Sequence, residues 1–187
     1  MTELIFSTGN NQKFSMGQHA CSEYDITLIK NELDIDEVQS EDIEYVARRK
    51  AEVAFSLVKQ PVIISDDAWH IFALNGFPGT YAKSVNTWFS GDDYLRLTRD
   101  LEDRRIALVQ SLVYQDEHAQ QFFKKETIGT LLTESKGTAG VALQKIVSFE
   151  KDGKSISEMM GDKAYYAGAE ALKVWHKFAK WYTEKNT

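Results

Sequence analysis

Three features of this sequence predict a single mixed α/β or α+β domain. Short apolar runs, Leu4-Ile-Phe6 and Val62-Ile-Ile64, stop at small or polar residues, as buried strands do. Apolar positions from Ile43 to Phe55 and from Leu172 to Tyr182 recur at three- and four-residue intervals, as on helices that bury one face. Ile106–Tyr114 and Gln121–Ile128 flank a polar turn at Gln115–His118 and read as two long strands. Strands and helices mix early and strands cluster later, without repeats or linkers, so one domain is expected over residues 1–187.

In chain order, the strand at Leu4–Phe6 ends in the turn Ser7-Thr-Gly-Asn10, with a helix expected from about Asn11 to Cys21. Ile26–Ile29 reads as a second strand. A helix is expected from Ser40, with Ser40 as N-cap and Glu41, Asp42 and Glu44 at the positive end of its dipole. Pro61 precedes the strand Val62–Ser65, and Ile71–Leu74 reads as its neighbour, leading into the turn Asn75–Gly79. A helix is expected at Asp92–Glu102, a strand at Ile146–Phe149 closed by a turn at Lys151–Lys154, and a last helix at Ala169–Tyr182.

Composition narrows the function. The chain has 187 residues, enough to bury about 70% of the surface an unfolded chain exposes. Its 28 acidic residues outnumber 22 basic ones, giving a net charge of −6, so a broad basic surface for nucleic acid is not expected. The single cysteine, Cys21, can form no internal disulfide and reads as a small buried apolar residue. No apolar run approaches the ~18 residues of a membrane span, and the first residues lack the basic start of a signal peptide. A cytoplasmic protein without membrane contact is expected.

Three segments hold residue types suited to phosphate chemistry. Ser7–Lys13 places a small-residue turn between a strand and a helix, where backbone N–H groups stabilise an anion and Lys13 can reach back to it. It lacks the glycine spacing of a Walker loop, and an ordinary turn would look the same. Asp66 and Asp67 follow a buried strand, and adjacent carboxylates suit Mg²⁺, which takes one or two of them and fills its other positions with water and phosphate. A solvated turn is the plain alternative there. Asn75–Lys83 sets two glycines and a proline on a tight backbone path, with Tyr81 and Lys83 just beyond it.

In that order these segments resemble the inosine triphosphate pyrophosphatase family, enzymes that remove deaminated purine nucleoside triphosphates. Its Thr-Gly-Asn-x-x-Lys motif is matched by Thr8, Gly9, Asn10 and Lys13. Its Glu-x-Gln segment is matched by Glu37 and Gln39, ahead of Ala47–Ala51, and its strand ending in an acidic pair by Val62–Asp67. Its Leu-x-Gly-x-Pro-Gly-x-Tyr loop is matched by Leu74, Gly76, Pro78, Gly79 and Tyr81, and Asp103–Ala107 agrees at the start of a long strand. The resemblance implies a long twisted mixed sheet flanked by helices, in two lobes with a nucleotide cleft between them, and a homodimer. It implies that Thr8, Gly9, Asn10 and Lys13 hold the triphosphate, with Arg49 or Lys50, Lys83 and Lys163 neutralising phosphate charge. It further implies that Glu37 and Asp67 bind Mg²⁺, and that Asp67 or Asp66 orients the attacking water.

The last third departs from the family pattern. After the turn Lys136–Gly140, the expected Phe-Gly-Tyr/Trp-Asp-Pro becomes Val141-Ala-Leu-Gln-Lys145, putting Val141 and Leu143 at the base-packing positions and Gln144 at the aspartate. The expected Ser-His-Arg is replaced near Tyr165-Tyr-Ala-Gly-Ala169. Trp69 or Trp88 is a candidate to stack on a base instead, while His70 reads as structural and His176 as a half-exposed residue on the surface of the last helix. The first reading is therefore a Mg²⁺-dependent nucleoside triphosphate pyrophosphatase with altered base selectivity. The alternative is a nucleotide-binding protein that kept the fold without turnover.

Overall fold

A computed structural model of the chain describes residues 2–160 and 172–186. Seven strands form one mixed sheet: β1 (Thr2–Ser7), β2 (Ile26–Asn31), β3 (Val62–Ile71), β4 (Pro78–Gly79), β5 (Arg105–Gln115), β6 (Gln120–Leu131) and β7 (Val147–Ser148). Their order is β2-β1-β3-β5-β6-β7, with β4 paired to β3 off this path. The predicted fold class holds. Six helices accompany the strands among the described residues: α1 (Asn11–Ser22), α2 (Ile43–Val58), α3 (Ala82–Trp88), α4 (Gly91–Thr98), α5 (Ile156–Met159) and α6 (Leu172–Lys185). None of the described helices is long and apolar enough to cross a membrane.

The chain divides into two compact units. The first comprises Met1–Asp67, Gln110–Lys125 and Ala169–Thr187. Here β1 pairs in parallel with β2 from Thr2↔Ile26 to Ser7↔Asn31, and with β3 from Ile5↔Val62 to Ser7↔Ile64. On one side Phe6, Leu28, Ile63 and Leu112 pack with Trp175, Phe178 and Tyr182 of α6, which confirms the expected core stripe of that helix. Burying each such side chain contributes about 1.5–3 kcal/mol. Gly17 of α1 makes this approach possible, since a Cβ there would lie 2.7 Å from the Trp175 ring. Cys21 is fully buried in the same cluster, and burial pushes its thiol up to about 12, so it stays a protonated apolar filler. A second cluster joins Ala47, Ala51 and Ala54 of α2 to Val62, Ile64 and Val113. The N-cap of α2 is Asp42 rather than Ser40: Asp42 Oδ1 accepts the N–H groups of Glu44 and Tyr45, while Ser40 Oγ accepts that of Asp42 one turn earlier.

The second unit comprises Ala68–Val109 and Glu126–Gly168. Its core gathers Trp69, Ile71, Tyr94, Ile106, Leu131, Leu143 and Ile146. Ile71–Leu74 is not a neighbouring strand; Ile71 closes β3, and Phe72–Leu74 forms one 3₁₀ turn. Helix α3 was not expected from the sequence, and α4 stops at Thr98, short of the predicted Glu102. The Thr98 carbonyl is captured by Arg104 Nη1 at 3.0 Å, which ends the helix. The predicted strand at Ile146–Phe149 shrinks to the two residues of β7. The turn Lys136–Gly140 is fastened by Ser155 Oγ, which donates to the Lys136 carbonyl, and by Ser157 Oγ, which donates to that of Ala139. Gly137 is required there: its φ is +80° and a Cβ would lie 2.5 Å from Ser157 Oγ.

Candidate active site

The parallel register of β1 and β3 brings the first two motif segments together. Pairing ends at Ser7↔Ile64, so the turn after β1 lies beside the residues that follow Ile64. Those residues do not leave the sheet. Strand β3 runs on through Ser65, Asp66 and Asp67 to Trp69 and His70, which pair with Gly79 and Pro78 of β4. The acidic pair therefore sits in mid-strand, between the stretch paired to β1 and the stretch paired to β4, rather than after the strand's end. Polar bonds there supplement the ladder: Asp67 N–H donates to Asp66 Oδ1 at 2.9 Å, and Ser111 Oγ of β5 donates to the Asp66 carbonyl at 3.0 Å.

Around this pair, carboxylates and ammonium groups alternate. Lys13 Nζ lies 3.0 Å from Asp67 Oδ2. Lys50 Nζ lies 2.6 Å from Glu37 Oε1 and 3.9 Å from Asp66 Oδ2. Burial pulls the Lys13 ammonium down, but the Asp67, Asp66 and Glu37 carboxylates outweigh it and hold its pKa above the ordinary lysine value. Burial pushes Asp66 up, aided by the like charges of Asp67 and Glu37 and opposed by Lys13 and Lys50.

The predicted residues divide accordingly. Lys13, Glu37, Lys50, Asp66 and Asp67 share one cluster. Between Arg49 and Lys50 the helix register selects Lys50, because Arg49 is exposed and pairs with Glu52. Thr8, Gly9 and Asn10 form the turn, though not as a row of open N–H groups. Asn10 Oδ1 accepts from the N–H groups of Gln12 and Lys13, and Thr8 Oγ1 accepts from Asn10 N–H. The turn is self-capped, which leaves Lys13 rather than those amides to meet an anion. Lys83 is exposed on α3 of the second unit, and Lys163 lies outside the described residues, as do Tyr165 and Tyr166. Trp69 is buried and stacks on Phe149 with ring centroids 6.1 Å apart, so it does not serve as a base platform; Trp88 is 73% exposed. Leu143 is fully buried in the core of its unit, and Gln144 Oε1 accepts the Val141 N–H.

Sequence reasoning missed Ser111. A small hydroxyl inside the apolar run of β5 was the available signal. It also missed Ser65, whose buried Oγ has no hydrogen-bond partner among the described residues.

As a donor set, Asp66, Asp67 and Glu37 offer only oxygens, which fits a hard divalent cation. No group of three or more His, Cys, Asp or Glu side chains is gathered into a metal cage among the described residues. Mg²⁺ does not need one, since it keeps water and substrate phosphates on most of its positions.

Carboxylates and ammonium groups alternating beside parallel strands define a protein equipped for phosphate esters or anhydrides. The comparisons with known proteins are more specific. The Ham1 family model matches residues 4–166, and the chain belongs to that family, as the motif resemblance implied. The dITP/XTP pyrophosphatase of Methanopyrus kandleri is 28% identical over 181 residues, covering 96% of each chain. That of Methanothermobacter marburgensis is 30% identical over 185 residues, covering 97% of each. Among solved structures, a HAM1 protein from Coxiella burnetii superposes with a TM-score of 0.81 at 19% identity, over 98% of this chain and 100% of that one.

Proposed function

We propose that this protein cuts nucleoside triphosphates between the α and β phosphates, with Mg²⁺, releasing a nucleoside monophosphate and pyrophosphate. Family membership makes it a nucleoside triphosphate pyrophosphatase, a hydrolase acting on acid anhydrides. The observation that carries the finer reading is the alternation of Lys13, Asp67, Asp66, Lys50 and Glu37 within one unit.

Lys13 and Lys50 offset the negative charge of the phosphates, Lys13 from the helix that follows the Thr8–Asn10 turn. Asp67 and Glu37 would hold Mg²⁺, which supplies further neutralisation of the phosphate oxygens when bound. Asp66 takes the proton of the attacking water as the new bond forms to the α phosphorus and the bond to the bridging oxygen breaks. Ser111, holding the Asp66 carbonyl, fixes the strand from which both carboxylates project. Such a reaction depends on positioning and on meeting developing charge, which this cluster provides. Residues 1–187 act as one domain, in the cytoplasm and as a homodimer, with a nucleotide as substrate and neither nucleic acid nor membrane as partner. A solution mass near that of one chain at micromolar concentration would remove the dimer.

Selectivity is where this chain is expected to differ from its family. Its counterparts of the base-packing aromatics are Val141 and a core leucine, Leu143, so discrimination of inosine or xanthosine triphosphate from ATP and GTP falls below the ~10⁴ that a polar reader can reach. A pyrophosphate-release assay across ordinary and deaminated triphosphates, with and without Mg²⁺, tests both points. A thousandfold preference for inosine triphosphate would overturn the altered selectivity. Activity unchanged by EDTA would overturn the metal. Binding without cleavage of any nucleotide would leave the non-catalytic reading.

A further inference from the structure

We infer that the second unit carries an anion pocket for a small phosphate-bearing molecule, built from residues that the pyrophosphatase site does not use. A cavity of about 460 Å³ is lined by Asp92, Leu95, Arg96, Arg99, Arg104 and Thr133. That volume is in the range of small-molecule sites. None of these residues belongs to the Lys13–Asp67 cluster.

Three of them lie on one face of α4, and Arg99, the C-cap residue, continues that face in helical geometry. Positions 92, 95, 96 and 99 follow helical spacing, while Tyr94 and Thr98 turn inward and are buried. The opposing wall is Arg104, whose guanidinium is held rigidly. Its Nε donates to the Leu131 carbonyl at 2.9 Å, Nη1 to that of Thr98 at 3.0 Å and Nη2 to that of Leu132 at 2.8 Å. These bonds occupy three of its five N–H groups and leave two. They also leave its charge uncancelled, because all three acceptors are neutral and Arg104 forms no ion pair among the described residues.

Arg99 forms no ion pair there either, and Arg96 meets Asp93 only at 3.6 Å. Three guanidinium groups against the single lining carboxylate, with Arg96 shared with Asp93, leave the lining net positive in a chain whose net charge is −6. Asp92 opposes an anion; it stands four residues from Arg96 and seven from Arg99, so it bears on Arg96 more than on Arg99. Arg forks match the tetrahedral oxygens of phosphate, and a preset one such as Arg104 loses little freedom on binding. The Thr133 hydroxyl adds a neutral donor, and Leu95 an apolar wall for an organic body attached to the phosphate.

Two sources share this chemistry: free pyrophosphate and a nucleoside monophosphate. Calorimetric titration of the full chain with inorganic pyrophosphate tests the pocket. The intact protein should take up two equivalents. Arg96→Ala/Arg99→Ala, both exposed positions that leave Arg104 and the core intact, should weaken one of them at least tenfold without changing turnover. Lys13→Ala should weaken the other at least tenfold, and failure of the pyrophosphatase reading would cost only that Lys13-sensitive event. The arginine-sensitive event should also weaken as KCl is raised. Repeating the titration with adenosine monophosphate separates the sources: tighter binding than pyrophosphate assigns the pocket to a nucleotide, weaker binding to the free anion. One equivalent of pyrophosphate, unaltered in the double variant, overturns the pocket.

Discussion

Two segments that the family pattern treats as halves of one task are built on opposite principles here. In the first unit, Thr8–Lys13, Glu37, Lys50 and Asp66–Asp67 keep charged ends at partly exposed positions, where oppositely charged groups meet within 4 Å. In the second unit, Val141–Gln144 turns inward: Leu143 is fully buried, its N–H donates to Asn86 Oδ1 at 3.0 Å, and the Gln144 amide is spent on the neighbouring backbone. The first arrangement leaves chemistry exposed to a ligand. The second uses the same stretch of chain as packing.

Four substitutions break or sharpen that contrast. Asp67→Asn should have the largest effect, lowering turnover by about 10³-fold or more while circular dichroism stays native, because Asn keeps the size and loses the charge that holds a cation or orients water. Wild-type turnover in that variant would remove Asp67 from the site. Leu143→Ala should lower unfolding free energy by about 2–5 kcal/mol, as for a buried leucine truncated in a packed core, and leave the ranking of nucleotides unchanged. A shift in that ranking would make Leu143 a base contact after all. Lys13→Ala should weaken triphosphate binding by about 1.5–3 kcal/mol, the size of a hydrogen bond to a charged group, seen as a raised KM. Arg49→Ala should move KM by less than twofold, since its exposed pair with Glu52 is worth little.

The turn between β5 and β6 gives a control that touches stability and not chemistry. Burial alone would push Asp116 up, but the Tyr114 hydroxyl, the His118 and Ala119 N–H groups and Lys185 hold it down to about 2. A carboxylate held below its unfolded value stabilises the fold above about pH 4, and that contribution is lost as pH falls through about 2. Asp116→Asn should therefore cost about 1 kcal/mol at pH 7 in urea unfolding, because solvent screens part of this interaction. The gap between variant and wild type should close toward pH 2. A gap that persists there would assign the effect to packing.

Much of this was legible in the sequence, for identifiable reasons. Periodic apolar faces located α2 and α6, and β-branched runs located β1 and the first half of β3. The continuation of β3 through Asp66 and Asp67 was not legible, because aspartate is poor in strands and the supporting bond comes from Ser111, forty-five residues away. Helix α3 was hidden in Ala82–Trp88, where Val, Thr, Ser and Asn lower intrinsic propensity; burial of Ala82 and Val85 and the Asn86–Leu143 bond hold it. In the site, the motif supplied Lys13, Glu37 and Asp67, but the choice of Lys50 over Arg49 required the register of α2 against Glu37. The Thr8–Asn10 turn was read as open amides because sequence shows a helix start but not whether Asn10 caps it.

The division of the chain into units has a consequence for the order in which it is made. Residues 68–109 and 126–168 complete the second unit before α6 is synthesised. The first unit must wait, because Leu172, Trp175, Phe178 and Tyr182 supply one side of its core against Phe6, Ile63 and Leu112. On a ribosome moving at about 5–20 residues per second, the segment bearing Lys13 and Asp67 emerges early and stays without its apolar partner for several seconds. The segments that carry the Lys13–Asp67 cluster are thus among the first parts translated and among the last to be sealed.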